Sequence, residues 1–396
     1  MEDAICDLNL ACQRGKCPDR AIRCPAKSGV WRYTQSVNIL RITTVRGKAM
    51  EYLSESTRLL YTQLLSQCLH GAAPSGRGLS FAAKHIKGGK HWYLQLNVGS
   101  RKTQHYLGPD TDKVRALIEK ERALWASAAP DLHARENLVS MLVSGGAHTV
   151  SAVEARLFEL LERTGVFLAG GVLVGSHAYA AYGNMLGVAW PSETTRTQDV
   201  DIAAAYRLLI GMPDRQVNLR QAIMESELGF IEVPALDRKS PSTRFRIKGK
   251  QLSVDVLTPM LGRTSSKPVH LASLDTYAEP VRFLDYLLDD AQPAVLVARA
   301  GIMVNIPAPA RYALHKLVTS ERRIAAFQTK TKKDVHQAEQ LISVLLHDRP
   351  GDLRRAWRAA AEQPGKFMQQ LRAGLARLSK ETRSALLTGV AKKRGK

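Results

Sequence analysis

The sequence predicts an α/β protein: a mixed sheet with flanking helices, a small N-terminal β-meander and a helical C-terminal region. Three observations carry that expectation. Short apolar runs, at Val166–Val174 and from Asp199 onward, alternate with segments of helical periodicity. Gly-centred turns at Gly88-Gly89 and Lys248-Gly249-Lys250 join alternating segments in the manner of hairpins. Beyond Pro309 the apolar spacing is that of amphipathic helices to the end of the chain.

Taken in order, residues 1–49 mix Cys, Arg and Pro without periodicity and read as a poorly ordered extension, with Met50 as the expected natural start, or else as a small Cys-rich arm. Four cysteines at 6, 12, 17 and 24 lack the paired C-x2-C spacing of a zinc site. Met50 is expected to open an amphipathic helix carrying Leu53, Leu59, Leu60, Leu64, Leu65 and Leu69. A Gly/Pro/Ser break at 71–78 precedes the meander: Ser80–Lys87, Lys90–Asn97 and Lys102–Leu107. Its basic residues interleave with Trp92, Tyr93 and Tyr106, a pattern that suits either a phosphate backbone or a charged, aggregation-resistant edge. Helical patterns follow at about 111–126, 131–143 and 151–163, the last opened by a Ser151/Glu154 capping box.

Past Asp201, Asp214–Leu228 reads as a helix, and Thr243–Ile247 with Leu252–Leu257 as a hairpin. A strand pair at Val295–Ala298 and Ile302–Ile306 precedes helices from Pro309 to about Ala326 and from Lys330 to Leu346. The expected division is 1–49, an extension; 50–148, a helix with the basic meander and further helices; 149–308, the central domain; and 309–396, a basic helical domain.

The 396 residues carry a formal charge of +21, which favours an anionic partner such as nucleic acid. Residues 349–396 alone hold 13 Lys/Arg against 3 Asp/Glu. Aromatic residues are only 6% of the chain, which argues against a general base-stacking sheet. No apolar run approaches the ~20 residues of a membrane span, and the N-terminus makes a poor signal peptide, so a cytoplasmic location is expected. There is no G-x4-G-K-[ST] loop, no G-x-G-x-x-G spacing and no Ser/His/Asp order for acyl transfer.

The chemistry concentrates in residues 165–202. An apolar strand ends at Gly175-Ser176, where a helix begins; small residues and free amides there suit a triphosphate. Asp199 and Asp201 are i and i+2 on the next strand and so share one face, while Val200 and Ile202 point to the core. Asp255 lies alone in an apolar strand, a costly position unless paired or metal-bound.

This order of features resembles the nucleotidyltransferase superfamily of the DNA polymerase beta type, across roughly residues 150–346. The resemblance implies that domain 149–308 has the nucleotidyltransferase fold and is catalytic, that Gly175 and Ser176 contact the triphosphate, and that Asp199, Asp201 and Asp255 are catalytic and ligate two magnesium ions, with manganese as the alternative. Asp255 would bind metal or activate the acceptor. The 23-position interval from Ser176 to Asp199 exceeds that of minimal members, and the loop Gly187–Thr197 accounts for the excess, as a substrate-contacting insertion or a long turn. Bacterial members of the toxin and abortive-infection type share such intervals and a downstream Lys and Lys-Asp pair; here these are Lys316 and Lys333-Asp334, assigned to nucleotide binding. The implied activity is transfer of a nucleoside monophosphate from an NTP donor to an acceptor, with pyrophosphate released. The basic charge favours an RNA acceptor, tRNA first, with a protein as the alternative. The competing readings are an inactive nucleotidyltransferase-fold protein that binds nucleic acid, and a toxin or defence component working with a protein partner.

Overall fold

The computed structural model describes residues 43–45, 48–70, 79–86, 88–98, 101–195, 197–205, 217–235, 237, 239–260, 262, 267–322 and 328–391. The four clustered cysteines, the break at 71–78 and the predicted start of a helix at Asp214 lie outside them. Strands β1 (Thr43–Val45) and β2 (Lys48–Tyr52) form an antiparallel pair. Met50 therefore lies in a strand. The helix α1 (Glu55–His70) begins five residues later, where the Ser54 hydroxyl accepts the Thr57 amide at 3.1 Å. Its buried face runs through Thr57, Tyr61, Leu64 and Cys68, so Leu59 and Leu69, expected to be inside, are exposed.

The meander is β3 (Leu79–Ile86), β4 (Gly89–Val98) and β5 (Arg101–Pro109), paired antiparallel in sequence order. From it runs α2 (Asp112–Ser144), capped by the Thr111 hydroxyl. The two helices predicted on either side of Pro130 are one. The proline removes a single donor, and the Ala, Leu, Arg and Glu around it favour helix strongly enough to carry the chain through.

The predicted capping box is present at α3 (Ala152–Arg163): Ser151 and Glu154 each accept the other's amide. Next come β6 (Val172–Val174), α4 (Gly175–Leu186), β7 (Val188–Ala189), the single turn α5 (Ser192–Thr195) and β8 (Asp199–Ala203). β6 is far shorter than the apolar run that predicts it, because residues 164–170 are turns. Then follow α6 (Leu219–Glu225), β9 (Phe230–Glu232), β10 (Arg244–Ile247), β11 (Ser253–Pro259), β12 (Val269–Leu271), β13 (Thr276–Val281) and α7 (Leu284–Leu288). The hairpin β14 (Ala291–Leu296) and β15 (Ile302–Pro307) precedes α8 (Pro309–Ser320), α9 (Gln328–Asp348), α10 (Pro350–Ala361), α11 (Gly365–Leu375) and α12 (Lys380–Ala391).

The fold is mixed α/β with a helical C-terminal region, as the patterning predicts. In the central sheet β8 lies between β6, antiparallel, and β11, parallel. The other edge of β11 is shared by β10 along its first half and β13 along its second. The core beneath is apolar and aromatic, with Tyr179, Tyr182 and Tyr312 fully buried where α4 meets α8. Among the described residues no helix is long and apolar enough to cross a membrane.

The C-terminal helices close on α8 through Gly374, where an added methyl would sit 2.8 Å from the Leu317 carbonyl carbon and 2.9 Å from its Cβ. Gly374→Ala should therefore lower unfolding free energy by roughly 1–3 kcal/mol in a urea titration, despite alanine's better helix propensity.

Candidate active site

The site is built on the junction of β6 and α4. Val174, the last residue of β6, pairs with Asp201 on β8, and the chain then turns at Gly175 with φ +65°. A side chain there faces two obstacles. The backbone is left-handed, and a Cβ would run into the Asp201 carboxylate, 3.1 Å from its Cγ. α4 opens at this point with no side-chain cap, whereas Thr111, Ser151 and Asn218 cap α2, α3 and α6. Its first amides thus have no competing acceptor from a capping residue. Tyr312 of α8 fixes the turn from behind, donating its hydroxyl to the Gly175 carbonyl at 2.7 Å. Ser176 follows, half-buried.

The three predicted aspartates meet on one face. β8 and β11 run parallel and in register, setting Asp199 opposite Ser253 and Asp201 opposite Asp255. Val200 and Ile202 point the other way and are fully buried. Ser253 donates its hydroxyl to Asp199 Oδ1 at 2.8 Å. Asp255 is engaged on both oxygens by Arg244, its register partner on β10: Nε reaches Oδ1, and Nη2 lies 2.7 Å from Oδ2. Asp201 has no hydrogen-bond donor among the described residues. Burial, then the neighbouring Asp255, push its carboxyl up to about 6, and Lys316 only partly opposes them.

The cationic side comes from α8 and α9. Lys316 Nζ donates to Asp334 Oδ1 at 2.7 Å, with both side chains largely buried, and stands 5.2 Å from the centre of the Tyr312 ring. Lys333 is half-buried beside them. Burial, then Lys316, draw its ammonium pKa down, while Asp334 and Asp199 hold it up. All eight residues singled out in the sequence therefore belong to one region around the Gly175 turn.

The residue types present suit a hard divalent cation, since the donors are carboxylate oxygens and Asp201 is left without a compensating partner. Yet among the described residues no three His, Cys, Asp or Glu side chains converge as a ready metal cage, and Arg244 occupies both oxygens of Asp255. Arg244, Ser253 and Tyr312 join the site without having been predicted from the sequence. The first two follow from strand register, and the Lys248-Gly249-Lys250 turn sets that register for Arg244. Nothing local marks Tyr312, which reaches Gly175 across 137 positions. His177 faces away from a ligand role: its Nε2 meets Glu154 Oε1 at 3.0 Å inside the core. Burial raises the Glu154 pKa, but the hydrogen bonds from His177 and Ser151 outweigh it and bring it to about 2. The long loop after α4 is folded back. Trp190 stacks on Tyr179 at 4.9 Å, and the Thr194 carbonyl accepts from Gln337 at 2.8 Å.

A strand–glycine turn–helix junction with carboxylates on the adjoining strand and lysines nearby is suited to a transferase of phosphorus-containing groups. Sequence comparison agrees: residues 153–362, just over half the chain, match the profile of the nucleotidyltransferase family, and the chain belongs to that family. No curated protein and no solved structure matches it.

An aspartate whose folded pKa is raised costs stability once it ionises, and the cost disappears below its unfolded pKa. Asp201→Asn should therefore raise the melting temperature by roughly a few degrees at pH 7.5 in EDTA, and by much less at pH 4, by differential scanning calorimetry. Gly175→Ala should lower it at both pH values, because the clash and the left-handed backbone do not titrate.

Proposed function

We propose that the chain transfers a nucleoside monophosphate from an NTP to an RNA acceptor, tRNA being the first candidate, and releases pyrophosphate. The observation that carries this reading is the in-register placement of Asp201 and Asp255 beneath the Gly175 turn. The uncapped amides of α4 and the Ser176 hydroxyl receive the triphosphate, where glycine allows close approach. Lys316 and Lys333 supply positive charge on the side of α8 and α9, and Asp334 holds Lys316 in place. Asp199 and Asp201 would hold magnesium, or manganese in its stead, with Asp255 joining them once Arg244 lets go; two such ions polarise the phosphoryl group and steady the leaving pyrophosphate when bound. In the bond change, an acceptor oxygen attacks the α-phosphorus and the bond to the β-phosphate bridging oxygen breaks. The proton of the acceptor hydroxyl passes to the carboxylate face at Asp255. Arg244, released from Asp255, is then free to meet the acceptor's phosphate.

A second reading has its own observation. The closed Arg244–Asp255 pair is also what a nucleotidyltransferase-fold protein that binds nucleic acid without catalysis would keep. Lys316 and Lys333-Asp334 are, in turn, the features shared with toxin and abortive-infection members, a subtype that would work with a protein partner.

The two readings separate in one assay. Protein, magnesium and each α-labelled NTP in turn are incubated with total cellular RNA and protein. The expected outcome is label in the RNA fraction with one nucleotide, lost by at least about a hundredfold in Asp199→Asn/Asp201→Asn, with circular dichroism unchanged. Wild-type activity in that variant sinks the mechanism.

A further inference from the structure

The meander takes no part in the site described above, and its two faces are unlike. One is closed by α2: Phe81 stacks on Trp125 with ring centres 4.9 Å apart, Arg122 lies over Phe81 and Trp92, and the Trp92 indole donates to Asp110 at 2.7 Å. The other carries Lys84, His91, Tyr93, Gln95, Gln104 and Tyr106. Strand register puts them side by side, Lys84 opposite His91, Tyr93 opposite Tyr106, and Gln95 opposite Gln104. The side chains are already organised. Lys84 Nζ sits 5.0 Å from the centre of the Tyr93 ring, His91 Nδ1 is 2.9 Å from the Tyr106 hydroxyl, and Gln104 donates to Gln95 at 3.1 Å. Tyr106 is 56% exposed, so its ring is open to a ligand.

The charge of the segment favours a polyanion. Residues 79–109 hold five Lys/Arg and three His and no Asp or Glu. The same 31 residues hold four aromatics, about twice the density of the chain as a whole. Whole-chain composition hides this, because aromatics are scarce elsewhere. A face with Lys84, His91, an exposed Tyr106, a half-buried Tyr93 and two amide side chains, in a segment without acids, suits single-stranded RNA. The rings stack on unpaired bases, the amides and imidazole meet base edges, and the lysine meets phosphate. The sheet packs on the N-terminal half of the 33-residue α2, through Arg122 and Trp125.

We infer that the outer face of the meander, built on Lys84, Tyr93, Gln104 and Tyr106, is the docking surface for a single-stranded stretch of the acceptor RNA. The inference rests on the proposed RNA acceptor and adds where that acceptor is held. Phosphate contacts at this face make binding salt-dependent, and ring contacts keep part of it at high salt.

The test uses the full-length chain, without nucleotide or magnesium, and fluorescence anisotropy with a labelled RNA hairpin bearing a single-stranded tail. Competitors are the same hairpin without the tail and the matching DNA duplex. The tailed RNA should bind tightest, Tyr93→Ala/Tyr106→Ala should weaken it about tenfold, and Lys84→Glu should weaken it and flatten the salt dependence. Lys84→Arg should keep wild-type affinity, which separates charge from damage to the sheet. Unchanged affinity in both Tyr93→Ala/Tyr106→Ala and Lys84→Glu, or equal competition by the DNA duplex, overturns the inference. Tail binding through this face without nucleotide transfer sinks the transfer reading alone. Transfer with an unchanged KM for RNA in the tyrosine variant sinks the docking surface alone.

Discussion

Everything at the site depends on the backbone of Gly175 passing directly over the carboxylate of Asp201. That approach is possible because glycine has no Cβ and tolerates φ +65°. It aligns three elements at once. The turn ends β6 opposite Asp201, it starts α4 without a capping side chain, and its carbonyl is held by Tyr312 from α8. The helical half of the protein is thereby tied to the strand that bears the acids. The distance between the first amides of α4 and the carboxylates is then set by backbone packing rather than by flexible side chains.

The second constraint is electrostatic. Three aspartates on one sheet face repel, and burial makes that worse. The protein resolves two of them locally: Ser253 holds Asp199, and Arg244 takes Asp255. Asp201 is left with the unfavourable balance that raises its pKa to about 6, and Lys316, whose ammonium is held in place by Asp334, offsets part of it. Strain concentrated on one group in this way is common at functional sites. On the proposed reading, a cation and a triphosphate complete the balance that the folded chain leaves open.

Legibility in the sequence followed the range of the interactions. Ser151/Glu154 and the i, i+2 aspartates are local patterns, and each appears where the sequence puts it, whereas the hairpin turn expected at Gly88-Gly89 comes one residue earlier, Gly89 already pairing with Ile86. The helix expected at Met50 failed because pairing with β1, and of Glu51 and Tyr52 with β7, decides the conformation of those residues, and β7 lies more than a hundred residues away. The break expected at Pro130 failed because one lost hydrogen bond is small beside a long run of helix formers. The gathering of Asp199, Asp201 and Asp255 was legible as types in order, but the Arg244 clamp was not, since it depends on hairpin register. Tyr312 was beyond reach, because only tertiary packing brings it to Gly175.

The central claim is that the chain cleaves an NTP between its α- and β-phosphates and keeps the α-phosphate on the acceptor. The most direct measurement compares one NTP labelled at the α-phosphate with the same NTP labelled at the γ-phosphate, each incubated with protein, magnesium and cellular RNA. The account predicts α-label on the RNA and γ-label in free pyrophosphate. γ-Label on the acceptor, or release of γ-label as inorganic phosphate with no α-label transferred, would contradict it.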